Sequence, residues 1–345
     1  MARFLTRWDL DKTYLRTDFD SVRDLLRTAI ERADQKRTVP GAASLLRELA
    51  KAGGAVHIVS GSPRQMRAKI EEKLRLDGAT FETLTLKPNL ENFLKLRLRA
   101  VRDQLGYKLP ALLGSRAAME APRDDAGVLV PEVLFGDDAE ADAFVYSLYA
   151  DICTGGVNEA LLREVLALGR AYEDNVDVAI AALRKVEKGE VVRRIFIHLE
   201  GQSPPSRFAV YGPRVVPFYN YLQPAFLLGE DGFLPPEGVL RVAAELVDEH
   251  RFDAEGLARS YLELRRRGAA RGTSAPALTA ALEDLVLPPR SAARPELTRM
   301  CARLEAALPG VSQVATREVV PMPDYATLVL AHNKRGKRHV GMFGL

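Results

Sequence analysis

The stretch Phe4-Leu5-Thr6-Arg7-Trp8-Asp9-Leu10-Asp11-Lys12-Thr13 decides how the chain is read. Residues 4–8 predict a strand, although Thr6 and Arg7 are poor choices for one buried on both faces. Two carboxylates, Asp9 and Asp11, follow it. Side chains two apart on an extended strand share a face, whereas a turn beginning at Asp11 splays them, one at the strand end and one slightly above. The carboxyl ends of strands are where open α/β sheets bind their ligands. An acidic loop in which Asp11 or Thr13 caps a helix accounts for the same residues. The pentapeptide leaves both readings open. Trp8, the only tryptophan, is expected to pack rather than to wall a pocket.

Working outward, 345 residues are enough for one large or two medium domains with a sizeable core. The net charge of +3 makes no case for nucleic acid as a partner. No apolar run approaches a membrane span, and Arg3, Arg7 and Asp9 lie too close together for a signal peptide. Cys153 and Cys301 supply neither a disulfide framework nor a metal cluster, so the expectation is reduced thiols in a cytoplasm. The five histidines show no metal-ligand spacing, which argues against zinc. His57, inside an apolar run, reads as a core or edge histidine.

The apolar positions Val22, Leu25, Leu26 and Ile30 predict a helix over 20–33, capped by Asp20. A second helix is expected over 42–52, ended by Gly53-Gly54. Residues 55–59 then read as a buried strand stopping at Ser60-Gly61-Ser62-Pro63, with Pro63 opening the next helix. Strand, helix, strand implies a parallel sheet with right-handed crossovers. A charged amphipathic helix over 64–76, a strand over 81–86 and a helix over 90–105 follow. Pro110 is set to start a fresh helix, with Lys108 just ahead of it. Residues 128–135 form the next apolar run, and it ends in Gly136-Asp137-Asp138-Ala139-Glu140-Ala141-Asp142. Helix capping explains one or two of those four acids, less easily all four. Helical pattern resumes at 143 and over 158–185, and 191–199 is a last strand. Residues 207–235 give no clear pattern. After Pro236 helical stripes dominate, at 238–249, 254–266 and 295–308, around a loose connector at 267–294. Lys334-Arg335-Gly336-Lys337-Arg338 makes a basic tail; such tails are usually solvated.

The fold expected is therefore α/β, a Rossmann-like parallel sheet with helices on both faces plus a mainly helical C-terminal region. Its polar clusters each fall at a strand end or a helix start: Asp9 with Asp11, then Ser60, then Lys108, then Asp137 with Asp142. In this order the sequence resembles the haloacid-dehalogenase-like hydrolases across residues 1–150. Their pattern is an aspartate pair with a following threonine, a strand-end serine or threonine, a helix-start lysine and a late Gly-Asp acidic loop. Lys87 and Lys95 compete with Lys108 for the lysine. Within that superfamily Val59-Ser60-Gly61-Ser62-Pro63 and the Gly136-Asp137 loop are similar to the phosphatidate phosphatase domain of actin-patch proteins and bacterial relatives. Two departures are Lys12, where that family usually has an acid, and the region 236–345, which has no counterpart there.

The resemblance implies a phosphatase core over 1–235 without a large cap insertion. It makes Asp9 a nucleophile, Asp11 a general acid and base, and Ser60 and Lys108 the groups that neutralise phosphoryl oxygens. Gly61 lies against substrate with them, while Thr13 chiefly fixes the turn. It implies Mg²⁺ held by Asp9, Asp137 and the Asp11 carbonyl, with Asp138 or Asp142 in support. The expected partner is a phosphorylated substrate. An uncapped site suits phosphatidate or another bulky ester, with transient membrane-surface contact through the basic tail; small phosphometabolites or nucleotides, or a non-catalytic binding role, are the alternatives.

Overall fold

The apolar runs pair as one sheet in the computed structural model, which describes residues 3–16, 36–87, 101–119, 123–311 and 321–341. Strand β1 (Phe4–Trp8) lies at its centre, between β2 (Gly54–Pro63) and β4 (Glu132–Asp137). Outside β2 comes β3 (Thr83–Lys87), and outside β4 come β5 (Val192–His198) and β6 (Val215–Phe218). The order is β3-β2-β1-β4-β5-β6, and all five pairings are parallel. This is the Rossmann-like order, built outward from β1 and then outward again from β4. The order in which strands are added reverses between those two, so a crevice opens beyond their carboxyl ends.

Helices cover both faces. On one lie α1 (Ala42–Lys51), α2 (Arg67–Leu76), α7 (Leu222–Glu230), α8 (Pro236–His250), α9 (Ala254–Arg266), α10 (Ser274–Glu283) and α11 (Arg294–Ala307). On the other lie α3 (Val101–Ala117), α4 (Asp142–Thr154), α5 (Glu159–Leu168), α6 (Glu173–Lys185) and α12 (Tyr325–Gly341), which enters the core through Tyr325 and Val329. The mainly helical C-terminal region thus divides between the faces. Its helices α8–α11 share one buried cluster with Phe4, Trp8, Val56 and Phe135. Trp8 packs, as expected: its ring stacks on Phe135 with centroids 3.8 Å apart and on Tyr221 at 5.9 Å. No described helix is long and apolar enough to cross a membrane.

Arg7, the awkward residue of β1, is buried because β4 brings it a partner. Its guanidinium donates to both Glu132 oxygens at 2.6 and 3.1 Å and to Ser115 at 2.9 Å. Arg116 at 3.0 Å and Tyr149 at 2.8 Å complete the shell of Glu132. A buried charge paired and hydrogen-bonded on every side is tolerated where a lone one is not.

The structure departs from the sequence reading in several places. Pro110 does not open a helix; α3 runs through it, and Lys108 lies inside that helix. The buried stripe Leu105, Leu109, Leu112 and Leu113 continues across the proline, and its packing outweighs the lost hydrogen bond. The connector at 267–294 contains α10, whose Ala275, Leu278 and Leu282 are buried at helical spacing. Pro276 falls in the first turn, where proline is accommodated. Residues 158–185 split into α5 and α6 near Arg170, which adopts φ 59°. Residues 207–235, left unread, hold a 3-10 turn (Pro205–Tyr211), β6 and α7. The tail 334–338 continues the backbone of α12, its side chains lying outside the described residues. The helix expected over 20–33, most of that over 90–105, and Lys95 also lie outside them.

Candidate active site

Asp9 sits one residue past β1, its N–H still bonded to Phe135 of β4 at 2.9 Å. The chain then turns sharply: Tyr14 and Leu15 both donate to the Leu10 carbonyl, and Lys12 takes a left-handed φ of 60°. A lysine held there is strained unless its surroundings fix it. They do. His198 Nδ1, at the end of β5, lies 2.9 Å from the Lys12 carbonyl, and the Tyr221 hydroxyl donates to the Thr13 carbonyl at 2.6 Å. Thr13 Oγ1 donates to Asp9 Oδ2 at 3.4 Å.

The turn splays the two carboxylates as the sequence predicted. Asp9 is buried, whereas Asp11 is half-buried and faces β2. Its Oδ2 accepts from Ser60 Oγ at 3.3 Å and Ser62 Oγ at 3.0 Å. Burial, then repulsion from Glu140, raises the Asp11 carboxyl above the usual range, and the Ser62 bond partly offsets this.

On the β4 side, Asp137 ends the strand and Asp142 opens α4. Gly136 allows their approach, since a Cβ there would lie 2.5 Å from Asp142 Oδ2. That oxygen accepts from the Asp137 N–H at 3.2 Å. Lys108 reaches in from α3, fully buried, with its Nζ 3.0 Å from Asp9 Oδ1, 2.9 Å from Glu140 Oε2 and 2.6 Å from Asp142 Oδ1. Burial alone would lower its pKa, but Asp142, Asp9 and Glu140 outweigh it and keep it an ammonium. Burial and mutual repulsion push Asp9, Asp137 and Asp142 upward.

Asp9, Asp137, Glu140 and Asp142 each bring a carboxylate oxygen within 4.8 Å of the others. Lys108 touches three of the four. Asp137 uses Oδ1 to accept from the Ala139 and Glu140 N–H groups, and its Oδ2 is buried without a hydrogen-bond partner. Three buried carboxylates and a half-buried one against one ammonium, with an orphaned oxygen, suit a hard, oxygen-preferring cation.

The structure therefore brings Asp9, Lys108, Asp137 and Asp142 together, with Asp11, Ser60 and Gly61 beside them. Asp138 was expected with the metal group and is not there. Its carboxylate accepts from Gly201 and Ser203 N–H at 2.6 and 2.8 Å, because adjacent residues leaving a strand point apart. The Asp11 carboxylate also lies outside the four-acid group, taken up by the serines. Ser62, Glu140, His198 and Tyr221 were not named from sequence. Ser62 repeats Ser60 at the strand period and Glu140 stands in the acidic run, so both left a signal; the other two left none. Lys87 sits at the end of β3, its ammonium 5.9 Å from the centroid of the Tyr107 ring.

No protein-family model matches this chain, and no curated protein matches it either.

Proposed function

We propose that the chain is a haloacid-dehalogenase-like phosphatase that hydrolyses phosphomonoesters through an aspartyl-phosphate on Asp9. The observation that carries this reading is the position of Lys108. One ammonium bridges Asp9 of the β1 end to Asp142 of the β4 loop, at the switch point of the sheet, with a second carboxylate, Asp11, set apart from that cluster.

In the proposed reaction, an Asp9 oxygen attacks phosphorus and the bond to the ester oxygen breaks. Asp11, whose carboxyl burial and Glu140 raise above the usual range, gives a proton to that leaving oxygen. The resulting Asp11 carboxylate then takes a proton from water as the water oxygen attacks phosphorus, and the bond to Asp9 breaks. Lys108 and the Ser60 hydroxyl offset charge on the phosphoryl oxygens. Asp9, Asp137 and Asp142, with Glu140 beside them, would hold Mg²⁺, which when bound supplies further positive charge against the phosphoryl group.

The test is phosphate release from nitrophenyl phosphate. Turnover should require Mg²⁺, stop in chelator and vanish in Asp9→Asn. Chelator-insensitive turnover, or full activity in Asp9→Asn, would remove the proposal. A lipid or other bulky phosphate would suit the uncapped site and the similarity of the Ser60 segment to phosphatidate phosphatases; the third support, the basic tail Lys334–Arg338, has side chains outside the described residues.

A further inference from the structure

Charge is not spread evenly around the site. The carboxylates gather where β1 and β4 end. Where β2 and β3 end, cations gather instead. Arg64 follows β2 and is exposed, and Lys87 closes β3, half-buried. The Lys87 ammonium lies 5.9 Å from the centroid of the Tyr107 ring, and Tyr107 immediately precedes Lys108 on α3. Pro63, just ahead of Arg64, pairs with Lys87 across β2 and β3, so both cations leave the sheet at the same edge, beside the Tyr107 ring. Arg67 is engaged by Glu71 and the Leu84 carbonyl. The Tyr107 hydroxyl is buried with no hydrogen-bond partner among the described residues, an arrangement that is costly unless a ligand or water completes it. Beside Ser60, a Cβ on Gly61 would meet nothing within 4 Å among the described residues.

We infer that this edge is a second anion subsite, and that the substrate carries another phosphate or a carboxylate a few bonds from its reacting phosphoryl group. Lys87 and Arg64 would hold that anion, with the Tyr107 hydroxyl as a further donor. The inference rests on the phosphatase reading for the identity of the first group. A lysine acts here as a point charge held over a ring, and an exposed arginine can pair with two oxygens of a planar or tetrahedral anion. The substrate class is then bisphosphates and phosphorylated acids rather than esters whose remainder is neutral.

The test compares nitrophenyl phosphate with the same ester bearing a ring carboxylate, in the unaltered chain and in Lys87→Ala, Arg64→Ala and Tyr107→Phe. The carboxylated ester should show a kcat/KM about tenfold higher, chiefly through KM, the effect of one charge-assisted contact. That ratio should fall toward one in Lys87→Ala and Arg64→Ala. Equal values for the two esters, or a ratio that neither variant changes, overturns the subsite while leaving the phosphatase reading standing. Calorimetric titration of phosphonopropanoate against propylphosphonate, in excess Mg²⁺, reads the subsite without turnover. Tighter binding of phosphonopropanoate that Lys87→Ala removes supports it, even if no ester is hydrolysed and the phosphatase reading fails. Equal binding of the two overturns it.

Discussion

The Lys108 ammonium lies 3.0 Å from Asp9 Oδ1 and thereby ties the middle of α3 to the end of β1. The same group reaches Asp142 at 2.6 Å, so one side chain ties the end of β1 to the start of α4. Lys108→Met should keep the sheet but leave three carboxylates without their cation. Turnover should fall by roughly 10²–10³-fold, the usual loss when a preorganised charge is removed from such a site. Lys87→Ala should not reproduce that loss on nitrophenyl phosphate. Steady-state rates for the two variants decide it; a larger loss in Lys87→Ala would shift the lysine's role to β3.

Asp11 is offset from the acid cluster and bonded by Ser60 and Ser62. Asp11→Asn should cost about 10²–10⁴-fold for alkyl phosphates, whose leaving oxygen needs a proton, and much less for nitrophenyl phosphate. Ser62 stabilises the ionised form, so Ser62→Ala should raise the Asp11 pKa further. Where ester cleavage limits the rate, activity falls as pH rises through that pKa. The falling limb should therefore move to higher pH in Ser62→Ala. A pH–rate profile with an alkyl phosphate measures it, and a limb displaced to lower pH would count against Asp11 as the acid.

How far the sequence carried this reading varies by element. Strands β2 and β4 were legible because strands buried on both faces are nearly continuous apolar runs, and β1 and β5 from shorter apolar runs interrupted by arginines. Asp9, Ser60 and Asp137 were legible because each marks the point where such a run stops. Lys108 was placed in the right region for an incomplete reason: Pro110 suggested a helix start, whereas tertiary packing carries α3 through it. The inward stripe of α10 was hidden by the loop-like composition around it. His198 and Tyr221 were invisible, since they act from the end of β5 and from just ahead of α7 on main-chain carbonyls 186 and 208 residues earlier. Asp138 misled because composition cannot say which acid of a run faces the crevice.

The Arg7–Glu132 pair tests the fold apart from the chemistry. Burial alone would raise the Glu132 carboxyl, but Arg7, then Arg116 and the Tyr149 hydroxyl, hold it below the usual range. A lowered carboxylate pKa contributes stability that is present above the unfolded value of about 4.3 and is lost as pH falls through the folded one. Glu132→Gln leaves Arg7 and Arg116 without their carboxylate and should cost about 3–5 kcal/mol. The variant should also lose the part of the acid sensitivity that Glu132 supplies. Urea unfolding at neutral pH and near pH 4 measures both; a variant as stable as the parent at neutral pH would show that the pair does not hold β1 to β4.

The central claim is that Asp9 becomes covalently phosphorylated. Quenching the enzyme during turnover of an aryl phosphate in Mg²⁺, reducing any acyl phosphate with borohydride and mapping the peptides reads this directly. The account predicts reduction at Asp9, dependent on substrate and absent in chelator. Steady phosphate release with Asp9 unmodified at every quench time, and Asp9→Asn still active, would contradict it.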